Sequence, residues 1–284
     1  MIIHPSSSIP LMTRYVDWMR SHKIFNIILV VVYYIAVVAP HKQFGTFLNK
    51  HILVGITKTK EMREYYNELI LIAAGCVLAI YIGVFIWQSL KRTDKNKLWG
   101  YMALNVLVAI LIIKTLFVIN TEVVHFPQYA AFALLIFPFT SNYLSTLIWA
   151  TIAGTVDEAY QNFYLAPADT GYFDWNDVVT NLVGAVFGLL ILRAFGVINQ
   201  GFDKLWKTSA FYGVAGLMVL VLVLHLSGVL AMGPDFEYPY QMVSKELTGF
   251  WQTVFPDITY HVILPLEGAL ITFGLWGLYS RIGR

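Results

Sequence analysis

Eight apolar runs, each near the length of a helix that crosses a bilayer, constrain this 284-residue chain more than any other feature. They cover residues 24–40, 69–89, 99–120, 123–139, 144–164, 178–198, 210–232 and 261–280. About 20 helical residues span the hydrocarbon core, where lipid offers no hydrogen-bond partner to an unpaired backbone group. The expected fold is an all-α, polytopic transmembrane helix bundle of about eight spans. The fourth run carries Pro127 and Pro138, so it is expected to be short, kinked or partly re-entrant and covered by protein. Composition excludes a soluble enzyme: 58% of residues are hydrophobic and 13% charged, against about a quarter charged in soluble domains.

Basic residues set the orientation. With the N-terminus inside, the inner segments hold Arg14, Arg20, Lys23, Lys91, Arg92, Lys95, Lys97, Arg193, Lys204, Lys207, Arg281 and Arg284. The outer segments then hold Lys42, Lys50, Lys58, Lys60, Arg63 and Lys245. The excess predicts that both termini are cytoplasmic, and the short loop from Ser89 to Trp99, with four cations, weighs most. A net charge of +2 without a basic patch gives no reason to expect nucleic acid. Cys76, the single cysteine, excludes an intrachain disulfide.

No repeat or linker divides the chain, so residues 1–284 are read as one membrane domain. Cations precede the first run and no clear small-residue cleavage site follows it, so the N-terminal segment is expected to be retained. Met12, Tyr15, Val16 and Met19 recur at helical spacing, which predicts an interfacial helix within residues 1–23. Phe44, Phe47, Leu48 and Ile52 repeat that pattern in the first outer loop until Gly55 interrupts it. Val243, Leu247, Phe250, Trp251 and Val254 predict another interfacial helix in the last outer loop.

Polar groups inside spans are costly and mark a protein interior or a water-filled cavity. His125 and Tyr129, four residues apart, share one face of the fourth span. On the fifth, Gln161 lies four residues from Asp157 and three from Glu158, so all three face one neighbour. Asp177, Asn181, Gly184 and Gly188 follow one stripe of the sixth, where the glycines permit close helix packing. Lys114 lies roughly 9 Å inside the third span at helical rise, and Glu267 and His225 sit at similar depths in the eighth and seventh. Arg193 alone falls in the inner half, where it snorkels to the interface. A polar cavity open to the outer leaflet is expected.

Three blocks carry a family resemblance: VVHFPQYAAFALL at 123–135, VDEAYQNF at 156–163 and DVVTNLVGAVFGLL at 177–190. Their order and spacing resemble the H-F-x-x-Y, D-E-x-x-Q-x-F and D-x-x-x-N-x-x-G-x-x-x-G signature of VanZ-like membrane proteins. The resemblance covers residues 120–195, a core that includes His125, Tyr129, Asp157, Glu158, Gln161, Asp177, Asn181, Gly184 and Gly188. It implies a bacterial cytoplasmic (inner) membrane location and a role like glycopeptide resistance. The chain has Thr121 and Glu122 where the family usually has an Asp-Lys pair. It also has no arginine within residues 165–176, which leaves Lys114 as the candidate cation.

Several readings stand side by side. Asp157 and Glu158 either cap a helix in water or share a buried site in which two adjacent carboxylates resist ionising together. Asp177 and Asn181 are a structural hydrogen-bonded pair or cap, or they touch a ligand. Lys114 and Glu267 form a buried ion pair joining the third and eighth helices, or Lys114 serves the site. His125, Asp157 and Glu158 offer ligand chemistry for a metal, but without dedicated spacing no metal and no cofactor are assigned. His225 reads as a core histidine.

The expected ligand-binding set is therefore His125, Tyr129, Asp157, Glu158, Gln161, Asp177, Asn181 and Lys114, with Gly184 and Gly188 as packing residues. The favoured function is binding of an amphiphilic or lipid-linked cell-envelope molecule, with membrane lipids as further partners. One alternative is an accessory subunit of a larger membrane-protein complex. The other is an enzyme acting on a lipid-linked head group, with Glu158 or Asp157 as base beside His125; no nucleophile motif is present.

Overall fold

The structure, a computed structural model, describes residues 11–165, 173–199, 207–233, 238–243, 251–253 and 258–283. It is all-helical in character, with ten α-helices among those residues. These begin with α1 (Leu11–Ser21), α2 (Lys23–Val38), α3 (His41–Phe47), α4 (Lys60–Ser89) and α5 (Lys95–Thr115). They continue with α6 (His125–Thr140), α7 (Tyr143–Tyr160), α8 (Trp175–Ala194), α9 (Ser209–Leu226) and α10 (Pro265–Tyr279). Two small sheets lie beyond α9: β1 (Leu230–Ala231) pairs in parallel with β2 (Tyr240–Gln241), and β3 (Trp251–Thr253) pairs antiparallel with β4 (Thr259–His261).

Side-chain caps define several helix starts. Thr59, Asn142, Asp174 and Thr208 accept the backbone N–H of Met62, Ser145, Asn176 and Phe211 at the starts of α4, α7, α8 and α9. Each satisfies a donor that the helix itself leaves without a partner. Five segments are long and apolar enough to cross a membrane: α4, α5, α6 with its preceding turn, α8 and α9. Counting α1 with α2, which meet at a 102° bend, makes six. Each of the eight apolar runs contains a helix. However, α7 carries Asp157 and Glu158, and α10 has only 15 residues.

The fourth run is a continuous 16-residue helix rather than a broken one. Pro127 falls in the first turn of α6, where its missing N–H removes no intrahelical bond. Pro138 falls in the last turn, after which Ser141 adopts a left-handed conformation and Asn142 starts α7.

Helix α8 is the axle of the bundle. In its most apolar stretch 94% of residues are buried, against 6% in both α4 and α9. Helix α6 packs so closely on it that a Cβ at Gly188 would lie 2.2 Å from the Ala130 carbonyl oxygen. One at Gly184 would lie 2.8 Å from that of Phe126. From α5, Asn105 donates to the Val183 carbonyl at 3.3 Å, and from α4 Tyr81 donates to that of Phe187. From α10, Trp276 donates to Thr151 of α7 at 3.1 Å. The exposed surface of α2, α4 and α9 is apolar, with Ile27, Ile28, Ile72, Ile80, Met218 and Val219 outward, a surface compatible with hydrocarbon.

Contacts between distant segments sort the helix ends into two levels. At one, Arg193 donates to Asp94 at 2.7 Å, Lys97 to the Arg281 carbonyl at 3.0 Å, and Tyr143 to the Val197 carbonyl at 2.9 Å. At the other, Asn120 bonds Asn67, and Asn176 bonds Leu116, His261 and Ile263.

The expected interfacial helix within residues 1–23 is α1, with Val16 and Met19 buried and the Tyr15 hydroxyl 3.4 Å from the Leu134 carbonyl; residues 1–10 lie outside the described set. Between α2 and α4, α3 continues through a π turn, Leu48–Ile52, and Gly55 at φ 87° follows. The helix expected near Val243–Val254 is corrected in part, since 251–253 are a strand paired with β4. Pro256 lies between those strands in sequence, and proline disfavours a continuous helix. Leu247, Phe250 and Val254 lie outside the described residues.

Candidate functional site

The site lies at the Asn176 level of the bundle, where the first turn of α6, the last turn of α7 and the first two turns of α8 converge. Here α6 presents His125 and Tyr129, one turn apart and both buried. The α6–α8 approach at Gly184 brings His125 Nδ1 to 2.9 Å from Asn181 Oδ1, while its Nε2 lies 3.7 Å from Asp177 Oδ2. The second helix pair is joined by Tyr129, whose hydroxyl donates to Asp157 Oδ2 at 3.1 Å.

At its end α7 widens into a π turn, Gln161–Leu165, a distortion frequent at functional sites. It turns Gln161 back over both acids: its Nε2 donates to Asp157 Oδ1 at 2.9 Å and to Glu158 Oε1 at 3.3 Å. Asp157 and Glu158 are only 1% and 2% exposed, so they do not cap a helix in water. Asn181 is fully buried against Gly154, and its Nδ2 has no hydrogen-bond partner among the described residues.

Seven of the eight expected ligand residues thus meet in one place: His125, Tyr129, Asp157, Glu158, Gln161, Asp177 and Asn181. Lys114 does not join them. The buried face of α5 is Leu98, Met102, Asn105, Ala109 and Ile112, and Lys114, two residues beyond Ile112, points to the opposite, exposed side. Nor does it pair with Glu267, whose Oε1 is 2.8 Å from His261 Nε2. His225 bonds the Leu230 carbonyl at 3.0 Å and stacks on Tyr238. No direct bond joins Asp177 to Asn181, and the cap of α8 is Asp174.

Two further acids enlarge the cluster. Asp174 is half-buried, and its carboxyl is raised to about 7, first by burial and then by Asp177, against the opposing backbone hydrogen bond from Asn176. Glu122, half-buried in the turn before α6, lies close enough to Asp174, Asp177 and Glu158 to interact with their charges. The spacings were available in the sequence, since Glu122 precedes His125 by three residues and Asp174 precedes Asp177 by three. Asn176 was not singled out: it donates to the His261 carbonyl at 2.8 Å and accepts from Ile263 N at 2.9 Å, so it locks α8 to the segment before α10.

Five carboxyl groups therefore gather around one histidine. Such a cluster favours protons, hydrogen-bond donors and cationic groups. Among the described residues no group of three His, Cys, Asp or Glu side chains is arranged to hold a metal ion. No protein-family model matches the chain, and neither curated proteins nor solved structures yield a match.

Proposed function

We propose that this chain is a VanZ-like, multi-pass protein of the bacterial cytoplasmic membrane that binds an amphiphilic or lipid-linked envelope molecule. Its head group lies at the acidic cluster, in a cavity open to the outer leaflet. The chain crosses the bilayer eight times with both termini cytoplasmic. The sorting of helix ends supports this topology, because the cation-rich loop before α5 shares a level with Arg193 and Arg281.

One observation carries the functional reading: acids from three elements, Asp157, Glu158 and Asp177 among them, are gathered with amide and imidazole groups in an otherwise apolar bundle. Polar groups buried at such cost in a membrane bundle mark function more often than scaffolding. With Lys114 on the far side of α5, the cluster suits amines and hydroxyls of a head group and repels phosphate. Gln161 and Asn181 add amide groups able to orient a hydroxyl-rich head.

The test is thermal unfolding of the full chain in neutral phosphatidylcholine nanodiscs with hexadecylamine or hexadecyl phosphate. A ligand at 100 times its dissociation constant adds about 2.7 kcal/mol of stability. The amine is expected to raise the unfolding temperature of wild type and not of Glu158→Gln, and the phosphate to raise neither. Equal stabilisation by both head groups, or a response that survives Glu158→Gln, overturns the proposal.

A further inference from the structure

Beside the cluster, α2, α6 and α7 enclose an apolar groove of about 430 Å³, closed at one end by the start of α9. Its walls include Val31 and Ile35 from α2, Phe132 and Ile136 from α6, and Ile152 and Val156 from α7. On α6 the lining runs from Phe132 to Thr140, about 12 Å at helical rise, so the groove follows the helix axes. Val31, Ile35 and Val156 remain 49%, 56% and 47% exposed, so it opens sideways onto the apolar belt.

The groove's polar side chains are each engaged within the protein. Tyr34 donates to the Ala153 carbonyl at 2.7 Å, Trp149 Nε1 to Ser209 Oγ at 3.2 Å, and Thr140 Oγ1 bonds Thr146 Oγ1. A space lined this way gives water too few partners to be stable, whereas hydrocarbon needs none. One end of the groove approaches the site: its Phe132 packs edge-on against Tyr129 at 5.9 Å, and its Tyr34 lies within electrostatic range of Asp157 and Glu158.

We infer that the groove between α2, α6 and α7 holds one hydrocarbon tail of the amphiphile whose head occupies the acidic cluster, with Tyr34 at the junction. This rests on the head-group site proposed above. Lipid tails are as apolar as the groove wall, so transfer into it adds packing rather than a hydrophobic driving force. The head therefore selects the ligand, and the groove aligns its tail along α6 and α7 through the middle of the bilayer. The acids dictate the head: an amine or hydroxyl-rich group.

The experiment uses the full chain in phosphatidylcholine vesicles and hexadecylamine carrying a diazirine at its chain end. After irradiation, adducts are mapped by peptide mass spectrometry. Labelling of residues 30–35 and 149–156 is expected to exceed that of the lipid-facing surfaces of α4 and α9 several-fold. Val31→Trp and Ile35→Trp, placed on half-exposed wall positions to spare the core, are each expected to cut groove labelling at least five-fold while α4 labelling holds. Even labelling around the belt, or labelling unchanged by both substitutions, overturns the inference. Glu158→Gln separates the two claims. Its loss of groove labelling supports the joined site, whereas retained labelling that still falls in Val31→Trp upholds the tail groove and removes the acidic head site.

Discussion

His125 Nδ1 lies 2.9 Å from Asn181 Oδ1, across the interface where α6 and α8 pack most closely. The bond depends on the glycines one and two turns deeper along α8. Gly184 and Gly188 let the α6 backbone reach van der Waals distance, which carries His125 to the Asn181 and Asp177 side chains. Site geometry and helix packing are therefore one feature, and a side chain added at either glycine displaces both.

Gly188→Ala puts a methyl 2.2 Å from the Ala130 carbonyl oxygen. It is expected to destabilise the protein by about 1–3 kcal/mol, the range for overpacking a core. Gly216 in α9 meets nothing within 4 Å, so Gly216→Ala is expected to leave the unfolding temperature level or raise it, as removal of a helical glycine does. Parallel thermal unfolding in detergent checks the pair. Equal behaviour of the two variants contradicts the packing argument.

The loop before α5 supplies a pH dependence. Partial burial alone would raise the Asp94 carboxyl, but the hydrogen bond from Arg92 and the charge of Arg193 outweigh it and hold the group below its ordinary range. A carboxylate lowered in the folded state contributes stability above its unfolded pKa and loses it as pH falls through the folded one. Asp94→Asn is expected to lower stability by roughly 2 kcal/mol near neutral pH, the scale of charge-assisted hydrogen bonds. The gap to wild type is expected to narrow from about pH 5 downward and to close only once the pH lies below the lowered folded-state value. Denaturation series at both ends of that window check it, and a pH-independent gap contradicts the assignment.

Sidedness is tested by single cysteines in a Cys76→Ser background. Trp251→Cys, on exposed β3, is expected to react with an impermeant maleimide in intact cells. Thr93→Cys, in the loop before α5, is expected to react only after permeabilisation. The opposite pattern would place the acidic cluster in the inner leaflet.

Much of this arrangement is legible in the sequence because bilayer chemistry leaves few choices. Eight apolar runs each contain a helix, and the i,i+4 spacings of His125 with Tyr129 and Asp157 with Gln161, and the i,i+3 spacing of Glu158 with Gln161, already placed them on shared faces. Lys114 was misplaced because depth along a helix says nothing about azimuth: it matched the cluster in level, while α5 buries its Leu98–Met102–Asn105 stripe and leaves Lys114 on the opposite, exposed side. Asp174 and Glu122 were not assigned to the site because they stand just outside α8 and α6, where sequence alone assigns them to solvent. The segment around Trp251 looked amphipathic because aromatic residues fit a surface helix and a short strand equally well. The tail groove has no signature in the sequence at all, since it arises from how three apolar helices fail to fill the space between them.

The central claim is that the acidic cluster holds a ligand, and native mass spectrometry of the gently extracted full chain tests it most directly. Wild type is expected to carry a bound amphiphile as a discrete added mass, and Glu158→Gln, extracted in equal yield, is expected to lose it. An identical spectrum for the two, or wild type free of any added mass but joined to stoichiometric polypeptides, would contradict the account.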